Sequence, residues 1–175
     1  MKRDLSLWQF AGFVVTALGG TLLHFLYEKT SQSIAVAPFS AVNESTWEHM
    51  KLLFIPMFIF SLIQARFFKG ENRFWCIKLT GISLGLVLIP VLFYTSNGAF
   101  GKTPDWVNIT IFFVSAAIAY IWETHLFKQD HMQCRFFRLA FLLICLISAL
   151  FIVFTFVPPH IPLFRDPSSG TYGVV

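Results

Sequence analysis

Charge is what this chain has least of. Only 13% of its 175 residues are Asp, Glu, Lys or Arg, against about 25% in ordinary soluble domains. So few ionisable groups cannot coat a water-soluble surface, and a soluble globular domain is excluded. Cysteine is nearly as scarce. Cys76, Cys134 and Cys145 lie within or beside oily stretches, an odd number without framework spacing, which speaks against a disulfide-stapled secreted module and leaves the redox compartment open. Signature motifs are missing as well: the sequence has no P-loop, dinucleotide fingerprint, Gly-x-Ser-x-Gly elbow, His-Glu-x-x-His or Cys-x-x-Cys. Nucleotide-driven work is therefore excluded, and nothing signals flavin or haem. No internal repeat is present, and five spans do not divide into equal inverted halves, so the usual build of a secondary transporter finds no support.

What the chain has in abundance is apolar surface: 56% hydrophobic residues, 18% aromatic, 22 of them phenylalanine, with a mean hydropathy of +0.68. Disorder is excluded by that content. A hydrocarbon crossing takes about 20 mostly apolar residues, and five such runs occur, at residues 5–26, 46–64, 74–95, 105–127 and 136–157. The expectation is an all-α integral membrane protein: a five-helix transmembrane domain over 1–157 and a Pro/Gly-rich tail over 158–175. Met1-Lys2-Arg3 and Ala17-Leu18-Gly19 imitate a cleaved signal. The apolar stretch continues to Leu26, too long for a signal-peptide core.

The pI of 9.1 does not indicate nucleic-acid binding, because the cations flank apolar runs instead of lining one polar face. Lys2, Arg3, Arg66, Lys69, Arg73, Lys78, Lys128, Arg135 and Arg138 fall on one side, with only Lys29, Lys51, Lys102 and Arg165 on the other. Four acids accompany the nine cations, net +5; five accompany the four, net −1. The positive-inside rule then places the N-terminus in the cytoplasm and, after an odd number of crossings, the tail outside.

Local signals mark the span limits. Ser45-Thr46-Trp47-Glu48 reads as a capping box at span two, and Thr103-Pro104-Asp105 as a cap, an N1 proline and an early acid at span four. Pro158-Pro159 stops span five, and Pro56 and Pro90 are expected bends. Gly81 and Gly85 on span three, with Ser115, Ala116, Ala117 and Ala119 on span four, form small-residue faces suited to close helix packing, within the chain or against a partner helix.

Ionisable residues at membrane depth cost about 2.5–3.5 kcal/mol each on insertion scales. Their clustering is therefore informative. His24, Glu28, Glu44, Glu48 and His49 converge on the outer ends of spans one and two. His24 and Glu28 share a helical face, and Ser33 to Phe39 between the spans is too apolar to float in water. Two imidazoles with carboxylates are a competent ligand set for a divalent metal, with Glu44 or Glu48 as a general base. The competing reading is purely local. Glu48 is the third residue of the capping box with Lys51 as ion-pair partner, and Glu44 favours the positive helix end. In the tail, His160, Asp166 and Tyr172 are lid candidates, the alternative being a frayed terminus with Arg165 and Asp166 paired locally. Asp105 and Asn108 also begin at the outer face. On the inner side Glu123 has Arg66, Arg73 and Arg138 as expected partners, and His131 reads as a solvated loop residue. Asn43-Glu44-Ser45 and Asn108-Ile109-Thr110 match glycosylation sequons too weakly to be given a role.

The string Val42-Asn43-Glu44-Ser45-Thr46-Trp47-Glu48-His49-Met50-Lys51 carries a resemblance, together with His24-Phe25-Leu26-Tyr27-Glu28, Pro162-Leu163-Phe164-Arg165-Asp166-Pro167 and Gly170-Thr171-Tyr172-Gly173. It resembles a family of small bacterial multi-span membrane proteins of unknown function. The resemblance covers nearly the whole chain and implies a bacterial inner-membrane location, but no activity. Three functions fit: an outer-face site binding a cation or a lipid headgroup, a metal-dependent hydrolase or transferase acting on a lipid or peptide, and a structural subunit of a membrane complex.

Overall fold

The computed structural model describes residues 2–101, 103–129 and 133–174. The expected roles of Lys102, Asp130 and His131 lie outside the described residues.

Each apolar run is a single helix: α1 (Lys2–Lys29), α2 (Thr46–Ala65), α3 (Phe74–Phe100), α4 (Asp105–Lys128) and α5 (Phe137–Phe156). All five are long and apolar enough to cross a membrane. Helices are the natural outcome, since they satisfy every backbone N–H and C=O within one segment where water is absent. A 3-10 turn at Pro162–Phe164 and a single bridge between Arg165 and Tyr172 shape the tail.

α1 packs on α2, α2 on α3, α3 on α4, and α4 returns to α1, closing a ring of four helices. α5 lies outside this ring, against α3 and the flank of α2, fastened by Trp75 on Phe141 and Phe54 on Phe151, with ring centres 4.5 and 5.1 Å apart. The core between helices is apolar and aromatic, with Leu53, Phe54, Met57, Ile82, Ala116 and Ala119 at its centre. Outward faces remain apolar: Leu7, Leu22, Ile121 and Leu142 are all more than 60% exposed, an arrangement suited to lipid and unsuited to water.

Gly81 and Gly85 serve packing inside the chain. A Cβ on Gly81 would come within 2.4 Å of Glu123 Cγ, and Gly85 sits against Leu53 and Ala119. Pro56 and Pro90 lie within helices that continue through them. At α4 the expected cap is corrected: Pro104 is itself the N-cap, without a side-chain cap bond. Thr103 instead donates from its N–H and hydroxyl to Asn97 Oδ1, which ties the loop back to the end of α3.

One end of the bundle gathers the C-termini of α1 and α3, the N-termini of α2 and α4, and the tail. The other is closed by the two short loops. There Cys76 and Cys134 form a disulfide, leaving Cys145 free. Folding brings together two cysteines 58 residues apart whose sequence positions gave no framework. Arg73 pairs with Glu71 and donates to the Gln129 carbonyl, tying the same two loops.

Candidate functional site

The site begins with the loop between α1 and α2. Its apolar stretch folds over the helix ends, burying Ala37, Ser40 and Ala41. Ser40 enters the α1 hydrogen-bond ladder: its hydroxyl accepts from the Tyr27 N–H at 2.9 Å and donates to the Leu23 carbonyl. This fixes the loop to the helical turn that carries His24. Asn43 then makes a tight turn by accepting from the Ser45 N–H, while its amide donates to the Gly173 carbonyl at 3.1 Å. Ser45 caps α2 by accepting from the Glu48 N–H. Glu44 is thus presented between two fixed neighbours, one held by the tail and the other by the helix.

Among the described residues, His24, Glu44 and His49 bring one ligand atom each within 4.8 Å of one another. His24 Nε2 lies 3.7 Å from one Glu44 oxygen and His49 Nε2 lies 3.5 Å from the other. His49 Nδ1 is 3.0 Å from the Ser45 carbonyl. A carbonyl only accepts, so Nδ1 carries the proton and, in the neutral ring, Nε2 presents its lone pair to the cluster. Metal-binding histidines are commonly oriented in this way.

The cluster opens into a cavity of about 490 Å³, also lined by Thr46, Asn97, Asp105, Asn108 and Ser168. Small-molecule sites typically occupy about 300–1,000 Å³. Asn108 contributes a buried Oδ1 without a hydrogen-bond partner.

Glu48 and Glu28 stand apart from this group. The Glu48 carboxylate is buried and pairs with Lys51 Nζ at 2.6 Å, also accepting from the Val42 N–H. Lys51 donates further to the Ala37 carbonyl and the Thr155 hydroxyl. The pair fastens loop, α2 and α5, and Glu48 is not disposed to act as a base in the cavity. Glu28 is exposed and outside the cluster.

The tail folds back. Phe164 is buried against Trp47, ring centres 4.7 Å apart, and Val174 N–H donates to the Thr155 carbonyl. Pro167 and Ser168 form part of the cavity wall. His160 packs on Tyr172 at 4.7 Å, and neither joins the cluster. Asp166 is nearly buried and accepts from the Ser168 N–H and the Ser168 and Ser169 hydroxyls. Burial raises its carboxyl pKa, but these hydrogen bonds outweigh that effect and hold it below the ordinary value. The expected Arg165–Asp166 pair is replaced by this turn, in which the chain folds the Ser168 and Ser169 donors back onto the carboxylate.

At the opposite end, Glu123 is paired with Lys78 at 2.6 Å and accepts from the Gln9 amide. The expected partners Arg66, Arg73 and Arg138 are corrected to Lys78. It lies one helix away at the same depth, whereas the arginines begin nearer the boundary. Thr46, Asn97 and Ser168 in the cavity, and Gln9 at the far end, were not singled out by sequence. Gln9 is an uncharged polar residue in an apolar run, a contrast that signals it, whereas the other three sit among polar cap and turn residues that conceal them.

Five helices long and apolar enough to cross a membrane, with a histidine–carboxylate–histidine cluster in a polar cavity at one end, are compatible with a multi-pass membrane protein. The chain belongs to DUF6512, a family of unknown function, whose model matches residues 1–174. No curated protein and no solved structure matches it.

Proposed function

We propose that this chain is a five-span protein of the bacterial inner membrane, N-terminus in the cytoplasm, whose outward cavity binds a divalent cation through His24, Glu44 and His49. The orientation rests on the excess of cations at the Cys76 end. The observation that carries the metal reading is the convergence of two imidazole Nε2 atoms and a carboxylate, with His49 Nδ1 anchored on a backbone carbonyl. Two histidines and one carboxylate suit zinc, iron or manganese, and three protein ligands leave a coordination position facing the cavity.

That open position favours one second reading, a metal-dependent hydrolase or transferase acting on a lipid or peptide at the outer leaflet. Glu48 takes no part in it, being committed to Lys51.

The test is elemental analysis and cobalt titration of the detergent-purified chain after chelation. One ion per chain is expected, lost in both His24→Ala and His49→Ala while the proteins stay folded. Wild-type protein without stoichiometric metal overturns the reading and leaves a structural subunit. Turnover of outer-leaflet lipids by the loaded protein separates enzyme from binder.

A further inference from the structure

A second cavity adjoins the first. It measures about 220 Å³ and lies between α1 and α4, walled by Gly20, Thr21, Phe25, Leu52, Phe112 and Phe113. His24, His49, Asn108, Ile109 and Phe112 line both cavities, so the two meet at the histidines.

Their characters differ. The end cavity is rimmed by carboxylates, amides and hydroxyls, whereas the cleft walls are almost wholly apolar. Apart from His24, His49 and Asn108 at the shared junction, the polar wall residue is Thr21, which donates its hydroxyl to the Ala17 carbonyl of its own helix at 2.8 Å. Gly20 sets the floor: a Cβ there would meet Phe112 Cζ at 2.4 Å and the Leu52 carbonyl at 2.9 Å. The cleft opens through the side of the bundle, since Phe25 and Ile109 are 49% and 58% exposed. In a membrane this opening faces lipid instead of water.

We infer that the ligand of the site is a phospholipid that enters sideways between α1 and α4, placing its head in the end cavity and the start of an acyl chain in the cleft. The inference rests on the metal reading above. A divalent ion held by two neutral imidazoles and one carboxylate keeps a net positive charge and an open position, and a phosphate oxygen complements both. Asn108 lines both cavities and so stands at their junction. Its side-chain amide is the polar group placed to hydrogen-bond a hydroxyl beside the phosphate, which makes glycerol-type heads the better fit. A water-borne phosphate compound satisfies the polar half alone and leaves the cleft unused.

The full chain, held in an amphipathic polymer and loaded with cobalt, is titrated with glycerol phosphate and with dibutanoyl and dihexanoyl phosphatidylglycerol. The visible cobalt spectrum is the readout. Each methylene taken into the cleft tightens binding by up to about fourfold, so dihexanoyl phosphatidylglycerol is expected to bind at least about tenfold tighter than glycerol phosphate. Thr21→Trp and Ile109→Trp fill the cleft from exposed positions. Both are expected to keep cobalt loading and abolish the chain-length advantage. Asn108→Leu is expected to keep that advantage and lose the preference for phosphatidylglycerol over phosphatidylcholine. Cobalt bound with no gain from acyl chains overturns this inference alone, as does a gain that survives both tryptophan substitutions. Failure of the wild type to load cobalt overturns the metal reading and this inference together.

Discussion

The two ends of the bundle use the same ion pair for different purposes. Each holds a lysine and a glutamate at 2.6 Å with almost no exposure. At the Cys76 end the Lys78–Glu123 pair is wholly buried, and Glu123 Oε1 and Gln9 Oε1 beside it have no hydrogen-bond partner among the described residues. Gln9 donates to Glu123, and Lys78 Nζ lies over the rings of Phe74 and Tyr120 at 5.6 and 5.5 Å. At the other end the Lys51–Glu48 pair is also closed, but it anchors a loop whose next acid, Glu44, is exposed toward a cavity. The lesson is that a buried charge in an apolar protein marks either a fastening or a site. What marks the second end as a site is the cavity beside its pair, into which His24, Glu44 and His49 open.

Breaking the fastening at the Cys76 end has the largest expected effect. Lys78→Met leaves Glu123 buried without a counter-charge and is expected to cost about 3–5 kcal/mol, most of it recovered in the double variant with Glu123→Leu. Thermal unfolding in detergent measures both. If the single variant is as stable as wild type, the pair is not a fastening and the contrast between the ends fails.

The disulfide comes next. In oxidised protein its reduction is expected to cost about 2–4 kcal/mol, read from the midpoint shift with and without reductant. In cells the proposed orientation places Cys76 and Cys134 in the reducing cytoplasm. Rapid alkylation of growing cells is therefore expected to trap both as free thiols, and finding the pair oxidised there would reverse the orientation.

Gly81→Ala sharpens the role of the packing stripe. Alanine is the better helix former, but its methyl drives into Glu123, so a net loss of about 1–3 kcal/mol is expected. An unchanged melting temperature would mean that α3 and α4 separate easily.

At the cavity end the expected stability changes are smaller. Glu44→Gln is expected to alter stability by less than about 0.5 kcal/mol, as for an exposed surface group, while weakening metal retention. The Asp166 carboxyl, held low by the serine hydrogen bonds, stabilises the tail turn above its unfolded pKa of about 3.9. That stabilisation disappears as pH falls through the lowered folded value. Amide exchange of residues 165–172 is expected to quicken in that range, and Asp166→Asn to show the faster exchange at neutral pH without further acid response. Acid-insensitive exchange in the wild type would remove the carboxylate from the turn.

Much of this architecture was legible in the sequence. Expected span two at 46–64 becomes α2 at Thr46–Ala65, because Ser45 supplies a local cap and the helix runs as long as the apolar residues do. The Glu48–Lys51 pair was equally readable, being three residues apart on one helix. Glu123 was not: its partner lies on another helix, and three arginines near the same end competed for the assignment. Gly81 carried a second hidden message, since the space it leaves is filled by Glu123 and not by a methyl-lined helix face.

Sequence alone determined how many long helices form and roughly where they lie, because helix formation depends on residues within a few positions of one another, although α1 and α3 run past the expected limits of 26 and 95 to Lys29 and Phe100. It also supplied the histidines and carboxylates from which a site could be made. Which of them meet was decided only by tertiary structure: Gly173 fixes Asn43, Ser40 fixes the turn of α1 that carries His24, and Lys51 draws Glu48 away from Glu44. Those contacts join segments up to 130 residues apart. A ligand set depends on distances of a few ångströms, which residue spacing along a single helix cannot specify for groups on three different elements.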